Sequence, residues 1–591
     1  MVVFRSNTWK GVRLLKPDTL VLLFLTAWWG LNLLQAALTG LADDEAYYWY
    51  YAQHLDWGYF DHPPMVALLV RLSSWLPGLL GIRFFSTLLQ PLYLLLFWHL
   101  IRPADATRRD ALVYALLCFS QPLLQLYGFL AVPDAPLMLF TVVFLWAYRR
   151  FLREGSLLNA LWLGISVALL GYSKYHGALV VALVLLSNPK LFRRWQLYVA
   201  GAVALALFLP HLWWQYQHDW VSLHYHLMGR NAWGYKPNFT LEYLATLAVL
   251  FNPLWLYHFV KALRRPADGE ERPMRRAGIV MLAGFWVFFL VATFRGTVQP
   301  QWLLPTVFPF MALVFYASRR TRFVCIVGWV CVTLFVAVRL LAVANPMHLR
   351  GQLWEGAEPY HRLAAVANGR PVEFVRCYAF AAKYAYYTGC PAHCTSYFYD
   401  RQSQWQFDTA DRAFAGCEVV VAALGDLHGE RLEVNAPRDI RYMVFPDYLP
   451  MRELTVRTLE PIDVDLRYLS WTDTTRPVDS LPLFEVPLAI TNPYPYDIVP
   501  DKARPIAFYI NMQYDARHAP SAVAPLTDTL RAGATTVVRP RFRFPNADVP
   551  DGILASGIAV GYTRFAPALN TAPHTIAVRH DDEGIHLKAD W

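Results

Sequence analysis

Between residues 18 and 343 the chain is a succession of long apolar runs separated by short basic clusters, and this alternation constrains the fold more than any other feature. A helix that crosses a hydrocarbon layer of about 30 Å needs about 20 apolar residues. Inside lipid, its backbone groups must also be satisfied within the segment itself. Measured against that length, spans are predicted near 18–40, 84–101, 111–130, 134–149, 156–173, 176–189, 196–214, 240–260, 277–294, 301–318 and 322–343, about eleven in all. The composition, 56% hydrophobic and 16% charged, suits a polytopic α-helical membrane protein. Three regions are expected: a membrane domain over 1–344, an α/β domain over 345–464 and a β-rich, sandwich-like domain over 465–591.

The net charge of +9 raises the question of a nucleic-acid partner, which its distribution excludes. The cations sit in Arg5/Lys10/Arg13/Lys16, Arg102/Arg108/Arg109, Arg149/Arg150/Arg153, Lys190/Arg193/Arg194, Lys261 to Arg276 and Arg319/Arg320/Arg322. With the spans above, every cluster falls on one side, the pattern of cytoplasmic loops. The expected protein is multi-pass in the cytoplasmic membrane, with a cytoplasmic N-terminus and an extracytoplasmic region after residue 344. Met65 to Leu80 is apolar but short, and counting it as a span would turn every later cluster outward. It is expected as an interfacial amphipathic helix, with a re-entrant segment as the alternative. The first apolar run exceeds the usual 7–15 residues of a signal peptide and is read as a retained anchor.

The connections on the non-cytoplasmic side hold the chemistry. The first carries Asp43, Asp44, Glu45, Asp61 and His62 around the aromatic run Tyr47 to Tyr51; the second carries Asp134 between Pro133 and Pro136. The third holds Lys174 and His176, the fourth His218, Arg230 and Lys236, and the fifth Arg295. Carboxylates at the edge of a span are costly to desolvate and call for a reason. Acids that activate an acceptor, beside cations that stabilise a leaving phosphate, supply one. Each residue also has a structural reading: Asp134 as a helix cap, Lys174 snorkelling to the interface, His176 and His218 as hydrogen-bonders, Arg230 or Arg295 on lipid head groups. A transporter or flippase is the competing class, although such proteins place ionisable groups near the midplane.

The segment DDEAYYWYYAQHLDWGYFDHPP resembles the first external loop of the dolichyl-phosphate-mannose protein mannosyltransferase-like superfamily, and within it the bacterial branch of lipid A aminoarabinose and galacturonic acid transferases. VPDAPLMLF, LLGYSKYHGAL, QHDWVSLHYHL and VQPQWLLPTVFP follow in the family's order, so that the likeness covers about residues 18–345. The resemblance implies a GT-C fold and an inverting glycosyltransferase, which moves a sugar from a polyprenyl-phosphate carrier to a lipid or protein hydroxyl on the outer face. It implies Asp44 as general base, with Glu45, Asp61 and His62 in the catalytic group. Tyr47, Asp134, Lys174, His176, Arg230 and Arg295 are the substrate-binding candidates. Two positions depart from the family: His62 stands where Lys is common, and Tyr47 where the aminoarabinose branch has Arg. No cofactor is required by the motifs. A divalent metal ion is the one candidate, on Asp44, Asp61 and His218, whose spacing is not a metal signature.

Beyond the membrane domain, Glu373–Val375 and Glu418–Leu424 read as buried strands with a helix at Tyr378–Tyr387 between them. Strands at Phe484–Ile490, Ile506–Gln513, Gly557–Tyr562 and Thr575–His580 suggest a sandwich. Cys118, Cys325 and Cys331 fall in spans, whereas Cys377, Cys390, Cys394 and Cys417 lie where disulfides form. A disulfide is the expectation there, and the Cys390-x3-Cys394 spacing a weak zinc signal.

Overall fold

The computed structural model describes residues 15–590 except 230–234, 266–270, 397–400, 426, 428, 433–438, 468–481, 514–520, 546–548, 564–569, 572–573 and 583. The chain divides into two compact units, one ending at Trp354 and one starting at Glu355.

The first unit is helical: α1 (Pro17–Leu38), α2 (Asp43–Gln53), α3 (Met65–Ser73), α4 (Leu80–Ile101), α5 (Arg108–Phe119), α6 (Pro122–Tyr127), α7 (Asp134–Arg153) and α8 (Leu157–Ser173). It continues with α9 (His176–Leu186), α10 (Trp195–Gln217), α11 (Val221–His224), α12 (Pro237–Leu250), α13 (Leu256–Leu263), α14 (Glu271–Ala292), α15 (Val307–Ser318) and α16 (Arg322–Ala344). Helices stand at every predicted span. Among the described residues, seven are long and apolar enough to cross a membrane, or eight if one bent pair is a single span. The count of eleven full crossings is therefore not established. Its shortfall has local causes: Pro122 divides the run at 111–130 into α5 and α6, and Pro253 follows a 67° bend after α12. α9 stops after 11 residues. The α3 segment is nine residues, about 14 Å, too short to cross.

Around its apolar core this unit also turns apolar side chains outward and polar ones inward. Leu23, Trp162, Ile326 and Trp329 are exposed, while Asn32, Gln35, Gln90, Arg83 and Arg339 are inside. An outward apolar surface suits lipid, and polar side chains there must find partners in the bundle. Asn32, for example, donates to Gln90, which donates to Leu124 O.

The second unit contains α17 (Glu358–Ala367), α18 (Tyr378–Thr388) and the strands β1 (Val372–Val375), β2 (Ala392–Thr395), β3 (Cys417–Leu424), β4 (Glu430–Arg431) and β5 (Ile440–Tyr448). They form a sheet in the order β2-β1-β3-β5-β4, with β1 parallel to both its neighbours. Next come β6 (Thr455–Thr458), β7 (Ile462–Arg467), β8 (Leu483–Glu485), β9 (Leu488–Thr491), β10 (Ile506–Gln513) and β11 (Ser521–Pro525). Last are β12 (Thr535–Val538), β13 (Arg541–Arg543), β14 (Gly552–Tyr562), β15 (His574–His580) and β16 (Gly584–Ala589). These build an eight-stranded sheet, β7-β16-β15-β14-β10-β11-β13-β8, and a three-stranded one, β12-β9-β6. One apolar core, including Val419, Ile490, Phe508, Ile558 and Leu587, runs through all three sheets.

Among the described residues no two cysteines form a disulfide, contrary to the expectation. Cys394 lies on β2 with no exposure.

Candidate active site

Two neighbouring carboxylates, Asp44 and Glu45, open α2 and have opposite fates. Glu45 is fully buried and forms a bidentate pair with Arg83 of α4: Nε donates to Oε1 at 2.8 Å and Nη2 to Oε2 at 2.5 Å. Its Oε2 also accepts the Ala42 N–H, the reach-back of an acid in a helix's first turn, and its Oε1 accepts the Ala131 N–H at 2.8 Å. The rest of the guanidinium caps the end of α1, donating to the carbonyls of Ala36, Thr39 and Gly40. One ion pair thus ties together α1, α2, α4 and the corner before α7. Sequence placed Glu45 in the catalytic group; in the structure both its oxygens are engaged and it has no exposure.

Asp44, one position earlier, is exposed. Tyr127 at the end of α6 lies within Coulombic reach of both Asp44 and Asp134, which puts the first two acidic segments on one face of the bundle. Asp134 does not cap α7. Both its oxygens accept from Lys174 Nζ at 2.8 Å, and both side chains are almost fully buried. Lys174 neither snorkels nor stands as an isolated cation; it neutralises Asp134. Its position depends on Gly177, where a Cβ would lie 2.7 Å from Leu170 O, so that α9 can start tight against α8.

Asp61 and His62 are buried. Tyr51 donates to Asp61 Oδ1 at 2.6 Å, and His226 Nε2 donates to Asp61 O at 2.8 Å. The His62 ring lies 5.5 Å from Tyr48 and 6.3 Å from His226. Tyr47 and Tyr51 pack at 4.6 Å, and Tyr51 stacks on Tyr59 at 4.1 Å, so the aromatic run is a packed wall. Behind it, Ser222 donates to Tyr59 O, Gln215 donates to Ser222 and to the Tyr175 hydroxyl, and that hydroxyl meets His211 Nε2 at 3.2 Å. His211 Nδ1 meets the Trp57 carbonyl at 2.7 Å, so Nδ1 carries the proton and Nε2 accepts. Gly58 permits this approach, since a Cβ there would collide with the Trp214 ring.

The remaining candidates separate. His218 stacks on Trp214 at 4.0 Å and its Nδ1 bonds Trp214 O, while His176 packs between Phe289 and Trp302. Arg295 is exposed, with Nη1 donating to Leu227 O at 3.3 Å. Leu227 follows His226, so the π-helical turn Tyr225–Gly229 links Arg295 to Asp61. Arg230 lies outside the described residues. Among the described residues, no three His, Cys, Asp or Glu side chains gather as metal ligands, and Asp44, Asp61 and His218 do not form a metal site. Sequence reading missed Arg83, Tyr175, His211, Gln215 and His226. The one signal for Arg83 was its place as an isolated cation among apolar residues.

A family model, dolichyl-phosphate-mannose-protein mannosyltransferase, matches residues 61–214. Lipid A galacturonosyltransferase RgtD of Rhizobium johnstonii is 27% identical over 254 residues, 41% of this chain. The match spans about half (53%) of that relative's length. ArnT from Cupriavidus metallidurans superposes in its apo state with a TM-score of 0.53 at 14% identity, covering 71% of this chain and 97% of ArnT. Its undecaprenyl phosphate-bound form gives 0.51 at 14% identity, over 72% and 98%. At that identity the structures speak for the fold alone. The chain is thus similar over residues 61–214 to the dolichyl-phosphate-mannose-protein mannosyltransferase family, and its fold is that of ArnT, a helical membrane unit followed by a second, β-rich unit.

Proposed function

We propose that the protein is an inverting glycosyltransferase that moves a hexosyl or pentosyl unit from a polyprenyl-phosphate carrier to a hydroxyl of a lipid A-type glycolipid. The separation of Asp44 from Glu45 carries this reading: one carboxylate is exposed to substrate, the next is locked into the scaffold that aims it. The likeness to a lipid A galacturonosyltransferase supports the acceptor class. The fold shared with a protein captured with undecaprenyl phosphate supports the donor class.

In this reaction Asp44 takes the proton of the acceptor hydroxyl while its oxygen attacks the anomeric carbon from the face opposite the carrier. The new C–O bond forms as the bond to phosphate breaks. The phosphate keeps the electron pair, and Asp44 later returns its proton to water. Arg295 offers an exposed guanidinium for the developing phosphate charge. His62, where relatives commonly have Lys, and Tyr47 border the same acidic segment and are assigned to the donor's head. His176 and Arg230 retain only the sequence-based assignment to substrate binding, and Asp134 and Lys174 act as a neutral scaffold pair. The basic ends of the helices favour a cytoplasmic N-terminus, which puts transfer at the outer face of the cytoplasmic membrane.

The test uses membrane vesicles holding the full chain and lipid A, supplied in turn with undecaprenyl-phosphate-linked uronic acid and pentose. Asp44→Asn is expected to lower transfer at least about 100-fold with the melting temperature unchanged, and Asp44→Glu to retain more. Transfer by Asp44→Asn at the wild-type rate overturns the assignment.

A further inference from the structure

Tyr127 closes α6 between the two acidic segments, and the chain around it is fixed on both sides. Before it, Leu124 O accepts from Gln90 Nε2 at 2.7 Å. Gln125 Nε2 donates to Phe119 O at 2.6 Å, and its Oε1 accepts from Arg339 Nη1 at 3.2 Å. After it, Gly128 lies so close to Gln90 that a Cβ would collide with the side-chain amide. Three residues further, the Ala131 N–H donates to Glu45, the neighbour of Asp44, and Asp134 then starts α7. The Tyr127 side chain is therefore held in place before any ligand arrives.

Its hydroxyl, by contrast, is unengaged. Tyr127 is half-buried, yet among the described residues none gives or takes a hydrogen bond at the phenol, and its oxygen is not one of the sealed, unbonded polar atoms of the interior. Among the described residues, the charged groups within Coulombic reach of it are two carboxylates, Asp134 and Asp44. Asp134 has both oxygens on Lys174, whereas Asp44 is exposed. A phenol can donate a hydrogen bond. With carboxylates near it and no cation, it suits an uncharged hydroxyl and not a phosphate.

We propose that Tyr127 is an acceptor-binding residue, whose phenol donates a hydrogen bond to a sugar hydroxyl of the acceptor beside the hydroxyl that Asp44 deprotonates. As in the transfer reaction proposed above, on which this assignment rests, the acceptor is a lipid A-type glycolipid. A group built to pair with a ligand hydroxyl is left unpaired when that hydroxyl is missing, so Tyr127 also discriminates between acceptors.

Tyr127→Phe removes the phenol oxygen and nothing else. In membrane vesicles holding the full chain, the KM for lipid A is expected to rise roughly fivefold, the scale of one hydrogen bond. The KM for the undecaprenyl-phosphate-linked donor and the melting temperature should not change. Affinity for lipid A without donor, measured on the full chain in mild detergent, should fall by the same factor. Unchanged lipid A affinity and KM overturn the assignment and leave the reaction standing. So does a rise confined to the donor's KM, which would put the phenol on the carrier's sugar. A lowered melting temperature with both KM values raised would mark a structural role and also overturn it. A wild-type chain that transfers nothing, but whose lipid A affinity falls on Tyr127→Phe, keeps the assignment and sinks the reaction. A wild-type chain without affinity for lipid A overturns both.

Discussion

In the membrane unit, Arg83 and Glu45 are paired at zero exposure and joined by backbone groups of Ala36, Thr39, Gly40, Ala42 and Ala131. In the second unit two pairs are buried, Lys383 with Glu355 at 2.9 Å and His393 of β2 with Glu373 of β1, where Nδ1 meets both carboxylate oxygens at 3.1 Å and Nε2 meets Trp405 O at 3.1 Å. Both ring nitrogens face acceptors, so both must donate and the imidazole is held as a cation. The Glu45 pair is made with a planar guanidinium that serves two oxygens at once, the Glu373 pair with an imidazole.

The largest effect should come from breaking the first pair. Arg83→Met leaves Glu45 buried without its cation, which costs about 3–5 kcal/mol, to be read as a lowered melting temperature and loss of folded protein in mild detergent. Arg83→Lys should rescue little, since one ammonium cannot serve a bidentate carboxylate and three carbonyls at once. By contrast, Asp44→Asn should remove transfer and leave the melt untouched; a variant that unfolds would merge Asp44 with Glu45 as scaffold. Arg295→Gln should slow transfer about tenfold, the scale of one charge-assisted hydrogen bond to phosphate, with stability preserved.

The smallest effect concerns the second unit and pH. Burial pulls the His393 pKa down, but the Glu373 carboxylate, through charge and hydrogen bonding, more than offsets it, and Asp411 adds to the upward direction while Arg452 opposes it. The folded value therefore lies above the unfolded value of about 6.5. The stabilisation is complete below that unfolded pKa and is lost as pH rises through the folded one. Melting of the second unit, followed by near-ultraviolet circular dichroism, should fall over that window in the wild type and stay flat in His393→Gln. A flat wild-type profile would show that the ring is not held as a cation.

Much of the architecture was legible because lipid imposes a rule that needs no tertiary information: apolar runs must be long, and cations collect at one end. That rule located a helix at each predicted position. It did not anticipate where Pro122 and the bend before Pro253 interrupt the runs, because a proline in an apolar segment can kink a span or end it. The strands of the second unit showed in their alternation, yet Phe484–Ile490 split at Val486 and Pro487 into β8 and β9 of different sheets. Asp44 and Glu45 looked alike in sequence, as two adjacent acids must. Asp134 and Lys174 were each visible, but the 40 residues between them concealed that they neutralise one another.

Sequence alone determined that this chain lives in a membrane, which end of its helices is basic, and which connections carry acids, because length, hydropathy and charge are properties of single segments. Tertiary structure alone decided which carboxylate is exposed and which is locked away. It alone also decided that Tyr51 and His226 meet Asp61, and that Tyr175 meets His211. Charge neutralisation and desolvation depend on what lies within a few ångströms, and in a folded chain those neighbours come from anywhere along it.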